Sequence, residues 1–285
     1  MADMTQSPPN KAGDSGTKPV QNSIDAQVRN PDAVQKQILG GWHWVENNAG
    51  IVFGLVGLLL LGGIIWVVMN WMGERKEAKA QEAYYAVESK FMKIKDGFDR
   101  AKYSSLMPGL AAQAKTDEKA ASGDLAKDYG TLLTDLEKVA RDHAGTSAGA
   151  QAALLAADTY LAYNQAGKAS ELAQIPSKNM KAQTLPGSLA RVVWGSSLAA
   201  ENKCGEAVKV WQEVLDAKNM AYLHGDVSLR SGLCFETLNE PEKAKEMYRK
   251  VSAEAADTAV GARAKGLLRA LEQKAKTPPA AAQQG

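Results

Sequence analysis

Two stretches, Gly195-SSLAAENKCGEAVKVWQE-Val214 and Gly232-LCFETLNEPEKAKEMYRK-Val251, decide how this chain folds. Counted from its glycine, each carries an apolar residue at 3, an alanine at 12, an aromatic ring at 16 and a valine at 19. Those residues are Leu198, Ala207, Trp211 and Val214 in the first stretch, and Phe235, Ala244, Tyr248 and Val251 in the second. The stretches lie 37 residues apart. A weaker copy runs Ala157, Tyr160, Ala169 and Ala173. The spacing has a physical logic: small residues let two antiparallel helices touch closely, and the ring fills the space toward the next pair. One pair cannot bury its apolar face alone, so pairs stack.

This small-aromatic-small-aromatic pattern resembles the tetratricopeptide repeat, although the leading Trp and closing Pro of that motif are absent or displaced. The resemblance implies an all-α fold with a superhelical stack of helix pairs over residues 125–274. Turn signals within that range fall at His143-Ala-Gly-Thr, Asn164 to Gly167, Ile175-Pro176, Leu185-Pro186-Gly187, Glu201 to Gly205, His224-Gly225 and Asn239-Glu-Pro241. The composition agrees, being rich in Ala, Lys, Glu and Leu.

On the N-terminal side, Ala49 to Met69 reads AGIVFGLVGLLLLGGIIWVVM, 21 residues without a charged, amide or hydroxyl side chain. At about 1.5 Å per residue such a helix covers a hydrocarbon core of roughly 30 Å. Trp42, Trp44, Trp66 and Trp71 bracket it, as indole rings favour the headgroup layer. A single transmembrane helix is expected over 49–72, retained as an anchor. Gly50 and Gly54 form a small-xxx-small pair suited to close approach of two such helices, and hence to a homodimer. Residues 1–31 have the composition of a disordered tail. In 32–48, Val34, Ile38 and Trp42 recur at spacing four, as in an amphipathic juxtamembrane segment.

Beyond the span, Ala80, Tyr84, Val87, Phe91, Ile94 and Phe98 make one apolar stripe. It predicts a long helix packed on the helical domain, with a break at Met107-Pro108-Gly109 within 73–110. Residues 111–124 read as a flexible link and 275–285 as a disordered tail.

The whole arrangement is similar to the ancillary subunit of the bacterial Sec translocon, a family of single-span inner-membrane proteins with a periplasmic repeat domain. That resemblance implies a cytoplasmic N-terminus, a periplasmic C-terminal domain, and a role in passing secreted chains to periplasmic chaperones. Arg75, Lys76 and Lys79, interleaved with Glu74 and Glu77, point the other way. By the positive-inside rule they favour a cytoplasm-facing scaffold. A structural subunit of an envelope complex is a third reading.

Cys204 opens one helix and Cys234 ends the first helix of the next pair. In a stack these places can be neighbours. Two readings stand: a disulfide, which implies an oxidising compartment, or two small apolar residues.

A net charge of +2 excludes nucleic acid as a main partner. His43, His143 and His224 lack metal-ligand spacing, and no nucleophile elbow, phosphate loop or zinc-protease motif occurs. Catalysis, cofactors and metals are therefore not expected. Repeat stacks bind extended peptides or helices along the face of their first helices. In that frame the candidates are Gln151, Leu154, Asp158, Leu161, Val192, Ser196, Leu229, Leu233 and Glu236.

Overall fold

The computed structural model describes residues 45–106 and 120–276. Residues 1–44, including the tail and most of the juxtamembrane segment, lie outside that range, as do the expected break after residue 106, most of the link and the last nine residues. Among the described residues every regular element is a helix.

The chain divides into two units, residues 1–69 and 70–285. Helix α1, Ala49–Leu106, begins in the first and continues into the second. Its apolar portion contains a window of mean hydropathy 2.8, none of it buried. Phe53 and Leu59 each expose about three quarters of their surface. By length and composition this helix is able to cross a membrane.

In the second unit, α2 (Leu125–Tyr129) and α3 (Leu132–Asp142) precede three helix pairs. The pairs are α4 (Ser147–Ala162) with α5 (Ala166–Asn179), α6 (Leu185–Ala200) with α7 (Cys204–Leu215), and α8 (Ala221–Thr237) with α9 (Pro241–Glu254). Helix α10, Ala259–Lys276, follows. From α3 onward each helix packs on its successor, and α4 also touches α6, α6 touches α8 and α8 touches α10.

Each pair turns on the same device. Asn164, Asn202 and Asn239 take φ of 59°, 63° and 58° between the two helices. Asn tolerates this left-handed region better than other residues with a side chain, short of glycine's freedom. Each first helix except α8 opens with Thr-x-x-Gly. The hydroxyls of Thr146, Thr184 and Thr258 accept from the amides of Gly149, Gly187 and Gly261 at 3.0, 3.3 and 3.1 Å. This cap recurs at α10, which therefore begins as the first helix of a further unit. In α8 the cap is replaced by a 3-10 turn, Lys218–Met220.

The rings pack where the spacing predicts. A Cβ on Gly195 would lie 2.2 Å from Trp211 Nε1, and one on Gly232 would lie 2.3 Å from Tyr248 Cε1. The missing side chain is thus the space the ring occupies. Trp211 Nε1 donates to the Val192 carbonyl at 3.1 Å, and the Tyr248 hydroxyl donates to Glu236 at 2.5 Å. Both rings are buried with a satisfied polar edge. In the weaker copy Tyr160 donates to Glu137 instead.

The stripe on α1 packs within the second unit. Ala80, Tyr84 and Phe91 are buried beside Leu133, Leu136 and Tyr129, with Val87, Ile94 and Phe98 against them. Phe91 stacks on Tyr129 at 4.5 Å, and Phe98 meets the same ring edge-on. Glu77 accepts from the amides of Ser147 and Ala148 at 2.8 and 3.0 Å. It satisfies donors that the first turn of α4 would otherwise leave open.

Three expected turns are helical instead, and one of them, Leu185-Pro186-Gly187, is the first turn of α6, where proline's fixed φ and missing N–H are tolerated. Pro176 lies inside α5, buried, four residues before its C-cap, Met180, whose amide donates to the Pro176 carbonyl at 2.9 Å. Proline's missing N–H removes one internal bond, the one the Leu172 carbonyl would otherwise accept. His224 and Gly225 lie inside α8. His224 Nε2 sits 3.1 Å from the Val214 carbonyl and 3.3 Å from that of Ala217, serving the open end of α7.

Candidate functional site

The candidate residues come from α4, α6 and α8, and the structure sorts them. Gln151, Asp158, Leu233 and Glu236 are exposed, while Leu154, Leu161, Val192 and Ser196 are half-buried. Leu161 and Val192 pack against core clusters. Leu229 is a correction to the sequence frame. It is buried with Tyr248, Val251, Ala264 and Leu271 and belongs to the core. Position 229 faces α9 and α10 because α10 extends the stack, and the sequence frame did not count α10 as a further first helix.

Ser196 and Leu233 come together. They line a cleft of about 250 Å³ with Ala199, Arg230, Thr237 and the edge of Trp211. Its floor includes Cys204 and Cys234, whose sulfurs form a disulfide with a Cα separation of 5.1 Å. The bridge ties the start of α7 to α8, and hence one pair to the next.

Arg230 is the residue that spacing alone did not single out. Its Nε donates to Asp226 at 2.7 Å and its NH1 to Ser196 Oγ at 3.1 Å. Its positive charge also favours the ionised form of Asp158 on α4. Partial burial pushes the Asp158 carboxyl above its usual range, and the Arg230 charge offsets only part of that. Among the described residues, no hydrogen bond or ion pair reaches this carboxylate. A signal for Arg230 was present in the sequence, since α4, α6 and α8 hold few charges and Arg230 lies four residues after Asp226.

Glu236 is committed elsewhere. It accepts from Tyr248 and borders a separate cavity of about 230 Å³ with Lys245 and Lys274. The other arginine on these helices, Arg191, is buried. It donates to Glu213 at 2.6 Å and to the carbonyls of Met180 and Gly187, which makes it a brace between α6, α7 and the preceding loop.

Among the described residues no group of three or more His, Cys, Asp or Glu is arranged to hold a metal ion. His143 caps α3 and His224 serves α7. The described site is therefore a shallow surface with one cleft and a small charge cluster, laid along three successive first helices.

No protein-family model matches this chain, and no curated protein matches it. Among solved structures it is similar to the crystal structure of MamA, at 16% identity and a TM-score of 0.37, over 56% of this chain and 99% of that one.

Proposed function

We propose that this chain is a single-span membrane protein whose helical domain is a tetratricopeptide repeat-like solenoid, and that it docks other polypeptides on the face of α4, α6 and α8. The observation that carries this reading is the pairing, in one chain, of an apolar helix of membrane length with repeated helix pairs locked by Gly195–Trp211 and Gly232–Tyr248. Solenoids of this kind present extended surfaces rather than reactive centres, so a binding role is favoured over an enzymatic one.

The Cys204–Cys234 bridge supports an oxidising compartment for the domain. With the resemblance to the ancillary Sec subunit, this gives the fuller reading: an inner-membrane anchor beside the translocon, with a periplasmic domain that hands secreted chains to periplasmic chaperones. A second reading, a cytoplasm-facing scaffold, is favoured by Arg75, Lys76 and Lys79. Gly50 and Gly54, each with open space at Cβ, leave room for a helix-helix homodimer within the span or for assembly into an envelope complex.

Topology separates the first two readings. Ser7→Cys and Ala280→Cys, each introduced singly, are labelled with a membrane-impermeant maleimide in whole cells, spheroplasts and lysed cells. The periplasmic reading expects Ala280→Cys to react in spheroplasts and Ser7→Cys only after lysis. The reverse pattern refutes it in favour of the scaffold. A photo-crosslinker at Ile64 then distinguishes translocon capture from a species of twice the chain mass.

A further inference from the structure

The three first helices α4, α6 and α8 carry few charges, unlike α10. Asp158 is the one charged residue of α4, and Arg191 is the one of α6 and is turned into its brace with Glu213. On α8, Asp226 and Arg230 pair with each other, and Glu236 is engaged by Tyr248. What remains is a single exposed carboxylate, Asp158, which no hydrogen bond or ion pair reaches among the described residues. Arg230 stands within electrostatic reach, but its Nε and NH1 are directed to Asp226 and Ser196. On the next two first helices, α6 and α8, lies the cleft of Ser196, Ala199, Leu233 and Thr237, of a volume to take one or two small or apolar side chains.

Resting on the docking face proposed above, we infer that the occupant is an extended polypeptide carrying a basic side chain, which pairs with Asp158 while a neighbouring small or apolar side chain enters the cleft at Ser196 and Leu233. Charge complementarity selects this occupant over an acidic one. With Asp226 and Arg230 cancelling, the free charge on the α4–α6–α8 face is negative, and an acidic peptide would meet it unpaired. The basic group supplies the donor that Asp158 lacks, in a surface pair whose strength falls with salt. Arg230 then works as a positioning residue, holding Ser196 and keeping Asp226 from competing for the incoming cation.

The test uses the full chain in a neutral detergent and three fluorescent peptides of alternating Ala, Ser and Leu with Lys, Ala or Glu at the centre, read by anisotropy at low salt. The Lys peptide is expected to bind about tenfold tighter than the Glu peptide, a preference that shrinks as salt rises. Asp158→Asn should remove most of that preference, and Asp158→Lys should invert it. Leu233→Gln should weaken all three peptides alike. Thermal melts confirm that each variant is folded; Asp158 is exposed and unbonded, so its replacement leaves packing intact. Equal binding of the three peptides to the native chain, or an order unmoved by Asp158→Lys, overturns the inference. If Leu233→Gln still weakens every peptide in that case, the docking face stands and only its charge selection fails. If Leu233→Gln also has no effect, the docking face itself is refuted.

Discussion

Replacing Gly195 by alanine probes the contact on which the repeat depends. In an open helix position this change stabilises by about 1 kcal/mol, because alanine is the better helix former. Here the new Cβ would fall 2.2 Å from Nε1, 2.5 Å from Cε2 and 2.6 Å from Cδ1 of Trp211. Ordinary carbon contacts are roughly 3.5–4.0 Å, so the indole must retreat by more than about 1 Å. It has little room, being 2% exposed, and its Nε1 is anchored on the Val192 carbonyl. Overpacking of this kind costs about 1–3 kcal/mol, and stranding the indole N–H costs a further ~1–3 kcal/mol. Set against the propensity gain, the net loss should be about 3 kcal/mol. Urea unfolding of the full chain in detergent, followed by far-UV circular dichroism, measures it. Gly266→Ala, where nothing lies near the new Cβ, is the control and should gain up to about 1 kcal/mol. Trp211→Leu in the Gly195→Ala background should cost clearly less than the two changes summed, since the ring that clashes is gone. An unchanged or raised midpoint for Gly195→Ala, or strict additivity in the double variant, would refute the reasoning.

Three further outcomes follow from the same structure. Cys204→Ala with Cys234→Ala opens a loop with a sequence separation of 30 and should lower stability by about 3–4 kcal/mol in the chain-entropy picture; the oxidised and reduced native chains should differ in urea midpoint in the same sense. Glu77→Ala removes the acceptor from the Ser147 and Ala148 amides, so hydrogen exchange at the start of α4 should quicken, with a loss of about 1–2 kcal/mol. Burial alone would raise the Asp128 carboxyl, but hydrogen bonds from the Tyr163 hydroxyl and from the Ser122 and Gly123 amides outweigh it and hold it at about 2. Because the folded value lies below the unfolded 3.8, the contribution of this group is whole above that pH and is lost as pH falls through about 2. An acid titration of stability should therefore be shallower in that window for Asp128→Asn than for the native chain.

Local spacing carried much of this architecture. The offsets from Gly195 and Gly232 to Trp211 and Tyr248 located two helix pairs, and the stripe from Ala80 to Phe98 anticipated the packing of α1. Both are contacts along or between sequence-adjacent helices, which periodicity reports directly. The apolar run from Ala49 was likewise plain, because length and the absence of polar atoms are properties of the chain itself. Thr146, Thr184 and Thr258, each followed three residues on by glycine, held a further sign of the repeat and would have placed α10 in register.

Other features required the packed chain. Pro176 and Gly225 carry turn chemistry, yet both lie in helices, since tertiary burial outweighs one lost hydrogen bond or a weak propensity. Leu229 has the spacing of a face residue and is core because α10 covers it. Arg230 matters through Ser196 and Asp158, 34 and 72 positions away, and the cysteines meet across 30 residues. Sequence determined where the repeated helix pairs and a bilayer-length helix lie and which small residues face which rings, because these depend on near neighbours. Only the tertiary structure decided which side chains of three separate helices share a surface, because that depends on how successive helix pairs pack and on what lies beyond the last of them.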